Sequence, residues 1–188
     1  MARWDPGAEQ RLKRAALELY LERGYDNVTV THIAERAGLT RRSYFRYFPD
    51  KREVLFAGSE GLPPALAEAV LAADPNAAPF AAVLDALARV GAELVQRVDG
   101  AMERRAVIDA SPELQERERT KTAAITEAIR NALEQRQVNA GTAELVAQLA
   151  TVAFQNAFRR WIETEGHASF GSCLHAVTDG LRAALAGT

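Results

Sequence analysis

Cysteine is almost absent: Cys173 is the one thiol among 188 residues. That excludes an internal disulfide framework and fits a reducing compartment, with Cys173 expected to act as a small buried hydrophobe. Histidine is scarce as well, with only His32, His167 and His175. Cys173 and His175 stand two apart on an expected helix and so face different directions, which spoils a joint metal site. His167 falls in a turn. No glycine-rich phosphate loop, nucleophile elbow or zinc-ligand spacing occurs. Catalysis has no visible machinery, so an enzyme is not expected, and neither a metal nor a cofactor is called for. Also missing is any apolar run near the ~18 residues of a membrane span, and the N-terminus MARWDPGAEQ has no apolar segment of the secretory kind. A cytoplasmic chain with no membrane partner is expected. Alternating strand patterns, internal repeats and low-complexity tracts are lacking too, which leaves an all-α chain.

The net charge of −2 looks wrong for a nucleic-acid binder until the chain is divided. Residues 1–52 hold eleven Lys and Arg against seven Asp and Glu, a balance of +4, and the remainder holds twelve against eighteen, a balance of −6. Such asymmetry fits a DNA-binding head on a body whose work is not electrostatic.

The densest local signal is VTVTHIAERAGLTRRSYFRYFPDKREVL, from Val28 to Leu55. Thr29 can cap a first helix in which Val30, Ile33, Ala34 and Ala37 recur at i, i+3, i+4 and i+7. Gly38 can end it in a left-handed turn, and a second helix then runs from Thr40 to about residue 48. This is helix-turn-helix grammar. The second helix carries three arginines and four aromatics. Phe45 and Phe48 are expected to face the first helix while Arg41, Arg42 and Arg46 point away, where guanidinium can pair with guanine O6 and N7 in the major groove. Thr40 and Ser43 sit at the positive end of that helix, suited to a phosphate. Pro49 stops it, Asp50 and Glu53 read as a capping box, and Lys51 lies at the next helix N-terminus, able to meet the backbone. His32 falls on the outer side of the first motif helix, where it meets either DNA or water.

The pattern Thr31-x-Ile33-Ala34-x-x-Ala37-Gly38-Leu39-Thr40-Arg41-x-Ser43-x-Phe45-x-Tyr47-Phe48-Pro49-x-Lys51-x-x-x-Leu55 closely resembles the DNA-binding signature of the tetracycline-repressor-like (TetR) family of transcriptional regulators. The match covers roughly the first third of the chain. By this resemblance Thr31, Thr40, Arg41, Arg42, Ser43, Phe45, Tyr47 and Lys51 fall on DNA-touching positions. Phe45 departs from the family, which usually has tyrosine there, so a hydroxyl contact to phosphate is lost and Tyr47 must carry more of it.

The rest of the chain divides by its punctuation. Asp5-Pro6 opens a first helix that carries Leu12, Ala15, Ala16 and Leu19 and ends at Gly24. Arg3, Arg11 and Arg14 face either phosphate or solvent. A fourth helix is expected over residues 51–59 as the link from the head, residues 1–50, to a helical body, residues 51–188. In that body helices are expected over 65–73, 80–97, 101–108, 111–137, 142–165 and from about 170 to 186, forming an antiparallel bundle.

Two features of the body bear on function. Apolar residues crowd the last two helices, so Phe154, Phe158, Trp161, Leu174, Val177 and Leu181 either complete a monomer core or pair with a second copy across a two-fold axis. Leu87, Gly91, Met102, Ile125, Phe154 and Phe158, with Arg159 for an anionic group, either pack as a plain core or line a mainly apolar cavity. The family resemblance favours the cavity, because TetR-like bodies typically bind small effectors that release DNA. Residues 104–118, with ASPEL at their centre, resemble a subgroup proposed to bind acyl-CoA-like ligands. The expected function is thus a ligand-responsive repressor that binds a palindromic double-stranded operator as a homodimer. The alternative is a DNA-binding architectural or partner-recruiting protein whose body only dimerises.

Overall fold

The computed structural model describes residues 7–186, the side chain of Leu185 excepted. Among them all regular structure is helical, in ten α-helices and one 3-10 turn. The chain parts into two compact units. One holds the chain through Gly58 together with Gly100–Arg119, a returning segment that the sequence reading had assigned to the body; the other holds Ser59–Asp99 and the chain from Thr120 onward. The Asp5-Pro6 start signal and Arg3 lie outside the described residues.

In the first unit α1 (Ala8–Arg23) buries Leu12, Ala15, Ala16, Leu19 and Tyr20, the one-sided stripe of an amphipathic helix. It packs against α2 (Val30–Arg36), α4 (Glu53–Phe56) and α7 (Ala101–Asp109), and α2 packs on α3 (Arg41–Tyr44). Tyr25, Val28, Ile33, Tyr44, Phe48, Phe56 and Ile108 complete the core. The expected link over residues 51–59 is not one helix. After four residues of α4, Ala57 turns extended at ψ 130° and Gly58 takes φ +85°, so the ladder is broken before the 3-10 turn Ser59–Gly61.

The second unit is built from α5 (Leu62–Leu71), α6 (Pro79–Val95), α9 (Ala140–Glu163), α10 (Phe170–Ala186) and most of α8 (Pro112–Gln135), the one helix with residues in both units. Pro63 and Pro64 sit inside the first turn of α5 rather than before it, because the amide hydrogens missing there have no helical acceptor anyway. Asn139 caps α9, its side chain accepting from the Thr142 amide at 3.0 Å. α6 packs on α5, α9 and α10, and α9 packs on α10.

α9 turns its small residues to the core. Its inner stripe is Ala143, Ala147, Ala150, Ala153, Phe154 and Ala157, whereas Leu145, Leu149 and Val152 are 57%, 36% and 55% exposed. Alanine brings helix axes close together, and close axes leave no room for leucine between them.

Candidate nucleic-acid interface

The turn between α2 and α3 is fixed by backbone chemistry. Ala37 ends α2 and Gly38 follows at φ +70°. Gly38 N–H donates to Glu35 O at 3.0 Å and Leu39 N–H to Ala34 O at 2.8 Å, the paired bonds of a Schellman motif. Arg11 Nε adds a bond to Ala37 O at 3.3 Å. At the other end of α2, Thr29 Oγ1 accepts from the His32 amide at 3.2 Å and the His32 ring accepts from the Thr29 amide at 3.3 Å. His32 is therefore half of a capping box, at an end of α2 that remains open to solvent.

Thr40 opens α3 in the same way, its hydroxyl accepting from the Ser43 amide at 3.1 Å and lying 3.0 Å from the Ser43 hydroxyl. The inward aromatics of this stretch are Tyr44 and Phe48, with ring centroids 5.5 Å apart, and not Phe45 and Phe48. Spacings of three and four both fit one helical face. The choice goes to Tyr44 because its hydroxyl has an acceptor inside, Asp50 O at 3.0 Å. Burial pushes the Tyr44 and Tyr20 phenols well above their ordinary range, and both stay neutral donors, Tyr20 to Lys51 O at 2.6 Å. Phe45 is turned out, 45% exposed, with the Arg41 guanidinium 5.4 Å from its ring centroid.

The charges around this surface divide sharply. Arg36 makes a two-pronged pair with Glu22 at 2.8 and 2.9 Å and reaches Glu18 at 3.4 Å, and its hydrogen bonds hold the Glu22 carboxyl below its usual value. Arg52 binds Asp50 at 2.7 Å and lies 3.7 Å from Glu113. Asp50 also caps the next turn, accepting from the Arg52 amide at 2.8 Å and the Glu53 amide at 3.3 Å. The expected reciprocal half is replaced, since the buried Glu53 carboxylate pairs with Arg117. By contrast, among the described residues Arg41, Arg42 and Arg46 are exposed and have no carboxylate partner. Three exposed guanidiniums on one short surface are what a polyanion meets first.

Most sequence-expected DNA contacts lie on that surface. Thr31, Thr40, Arg41, Arg42 and Phe45 are exposed, and Ser43 and Tyr47 are half-buried. Lys51 is the exception. Its ammonium donates to Tyr25 O at 3.0 Å and Val28 O at 3.2 Å and sits 3.9 Å over the Tyr25 ring, so two of its three hydrogens fasten the α1–α2 loop. Arg46, expected on the outward face with Arg41 and Arg42 though not among the positions the family resemblance assigns to DNA, is exposed there as they are.

In the second unit, Leu87 is fully buried, Gly91 is buried, and Ile125 and Phe158 are partly buried against the core. The Phe170 ring lies over Gly91 so closely that a Cβ there would come within 2.1 Å of it, and it also packs on Phe154 at 5.4 Å. Arg159 is exposed, and Met102 stands exposed on α7 of the first unit, apart from the other cavity candidates in the chain's division. Of the expected interface residues, Phe154 and Leu174 are core, 5% and 3% exposed, and have almost no surface left for a partner. Phe158, Trp161, Val177 and Leu181 are half-buried. The ASPEL segment does structural work: Ser111 caps α8, Leu114 is core, and Arg104, Arg105 and Arg117 bind Leu55 O, Glu118 and Glu53.

Residues 12–57 match the family described as bacterial regulatory proteins, tetR family. Over 109 residues the chain is 34% identical to the HTH-type transcriptional regulator TcmR of Streptomyces glaucescens, covering 52% of this chain and 48% of that one, so it spans about half the length of this relative. In fold it resembles native NalD, the secondary repressor of the MexAB-OprM multidrug efflux pump in Pseudomonas aeruginosa, with a TM-score of 0.59 at 16% identity over 92% and 93% of the two chains. It likewise resembles SmeT in its complex with triclosan, with a TM-score of 0.60 at 15% identity over 93% and 91%. The family and these relatives are transcriptional regulators, not enzymes. No helix among the described residues is long and apolar enough to cross a membrane.

Proposed function

We propose that the chain is a regulator of the tetR family, a ligand-responsive repressor holding a palindromic operator as a homodimer, a reading supported by the family match over residues 12–57 and by the likeness to TcmR. The observation that carries this reading is the set of unpaired guanidiniums, Arg41 and Arg42 on a capped helix beside a fixed turn and Arg46 in the turn that follows it, while Arg36 and Arg52 nearby are neutralised. The chain acts where the chromosome lies, in the cytoplasm. The dimer forms on the second unit. Leu145, Leu149 and Val152 give α9 an apolar stripe that a second copy can cover, with Phe158, Trp161, Val177 and Leu181 contributing their half-exposed edges.

The effector is small and mainly apolar. Support comes from NalD, a repressor of a multidrug pump, and from SmeT, which binds triclosan. It enters among α6, α8 and α9 beside Leu87, Gly91, Ile125, Phe154 and Phe158, with Arg159 serving an anionic group, and Phe170 must swing off Gly91 to admit it. That filled position is the observation favouring the second reading, in which the body only dimerises. An acyl-CoA-like effector would further have to bring its phosphates to arginines that Glu53 and Glu118 do not already hold. Induction works by differential binding: an effector preferring the DNA-free arrangement about 10²-fold shifts the equilibrium by roughly 2.7 kcal/mol, and operator must weaken effector binding equally.

The test begins with selection of duplexes from a random pool, then titration of the selected one in salt. A palindrome with half-sites ~34–36 Å apart, or a multiple, is expected, bound with a log–log salt slope of about −0.9 per phosphate contacted. Leu149→Glu should give monomer and lose operator affinity. Calorimetry with triclosan and with a long-chain acyl-CoA, each with and without saturating operator, then separates the two readings. Equal affinity for random and selected duplexes would sink the regulator reading, and a bound ligand indifferent to operator would sink induction alone.

A further inference from the structure

We propose that Arg41 and Phe45 read one base step together, Arg41 taking a guanine and the Phe45 ring taking the C5 methyl of a thymine in the adjoining pair. This rests on the DNA-binding reading above and adds to it a base preference and the residue that sets it. Phe45 is a large apolar side chain left 45% exposed amid unpaired arginines, where core packing gives no reason for it. Its ring is held on two sides. The edge of buried Tyr44 meets it at 5.7 Å and 83°, and the Arg41 guanidinium lies 5.4 Å from its centroid.

With no hydroxyl, Phe45 can give nothing to a phosphate; what it presents is a fixed apolar face. Among base edges in the major groove the apolar group is the thymine methyl, and a phenylalanine ring is one of the surfaces that contacts it. Arg41 has no carboxylate partner among the described residues, so its donors are open to guanine O6 and N7. Stacking on the ring narrows the orientations of the guanidinium before DNA arrives, which lowers the cost of ordering it. Successive bases on a strand are ~3.4 Å apart, so two side chains stacked as these are meet neighbouring pairs and not distant ones.

The experiment uses the full chain and its selected duplex, with each thymine replaced in turn by deoxyuridine, which removes only the methyl. One thymine per half-site, next to a guanine, should lose affinity about 4-fold, what burying one methylene-sized group is worth. Phe45→Ala should bind the thymine and uridine duplexes alike, Phe45→Tyr should keep the discrimination, and Arg41→Ala should relax the preference for the neighbouring guanine. A chain that selects no duplex overturns the regulator reading and this inference with it. A selected duplex indifferent to every methyl, or a methyl effect that survives in Phe45→Ala, overturns this inference alone.

Discussion

In the first unit most of the aromatic side chains point inward, Tyr20, Tyr25, Tyr44, Phe48 and Phe56 filling the core, with Phe45 turned out among the arginines on the exterior of α3. In the second unit α9 does the reverse. Its alanines face inward and Leu145, Leu149 and Val152 face out. An aromatic core holds short helices of four and seven residues at a distance and sets them by shape, which suits a surface that must present arginines in fixed positions. An alanine core draws long helices together and leaves their large residues for another surface to cover. One unit thus buries most of its large residues, and the other leaves an apolar stripe of α9 exposed, the stripe on which the proposed dimer rests.

The largest way to break that contrast is to enlarge a small residue in the second unit. Gly91→Ala places a methyl within 2.1 Å of the Phe170 ring, which is itself buried and packed on Phe154. The alanine gains helix propensity of about 1 kcal/mol, yet overpacking a locked ring costs about 1–3 kcal/mol and more where the ring cannot turn. Net destabilisation of about 2 kcal/mol is expected from denaturant midpoints, and Phe170→Leu in the same background should recover part of it. If Gly91→Ala is as stable as the parent, Phe170 is not locked, and the filled position that argues against a ligand cavity is easily vacated.

A smaller effect sharpens the description of the first unit. Hydrogen bonds from Arg52, chiefly its side chain and then its amide, hold the Asp50 carboxyl below the usual range, with the Glu53 amide helping and burial opposing. A carboxyl depressed in the folded state binds protons more readily when unfolded. Its contribution is therefore complete above the unfolded value of about 3.9 and disappears as pH falls through the lower folded value. Asp50→Asn keeps a capping oxygen and removes only the charge, so it should cost about 0.5 kcal/mol at pH 7, the usual worth of a partly exposed ion pair with Arg52. The gap between parent and variant should hold down to about pH 4 and close below it, as pH falls through the lower folded value, in urea titrations. A gap that stays constant with pH would remove the charge from the cap.

What was legible in the sequence follows the same division. Gly38, Thr29, Thr40 and Asp50 act through backbone amides a few residues away, so their roles could be read locally, and the turn and caps stand where they were expected. Phe45 was turned the wrong way because three- and four-residue spacings share a helical face, and only the distant acceptor of the Tyr44 hydroxyl decides between them. Lys51 was read as a phosphate ligand because nothing nearby in the sequence shows that the carbonyls of Tyr25 and Val28 face it. In α9 the helix was clear and its facing was left open, because apolar residues occupy most of its circumference and periodicity alone does not choose among them. The break at Ala57 and Gly58 falls within three residues of the helix end expected near residue 59.

The smallest effect compares two helix ends that have one geometry and different residues. After α2 the left-handed position is Gly38 at φ +70°; after α8 it is Gln137 at φ +64°. The second end makes the same pair of bonds, Gln137 N–H to Glu134 O at 2.9 Å and Val138 N–H to Leu133 O at 3.1 Å, with Val138 and Leu133 both in the same apolar cluster. A side chain in the left-handed region costs about 1–2 kcal/mol, part of which glycine returns through the greater freedom of its unfolded chain. Gln137→Gly should therefore stabilise the protein by about 0.5–1 kcal/mol. Gly38→Ala should destabilise it by a similar amount, and through the backbone alone, since a Cβ at Gly38 would meet no atom within 4 Å. Both are read from shifts in urea midpoint at constant slope. If Gln137→Gly instead destabilises, the glutamine side chain contributes at that helix end beyond its backbone, and the two turns are alike in geometry only.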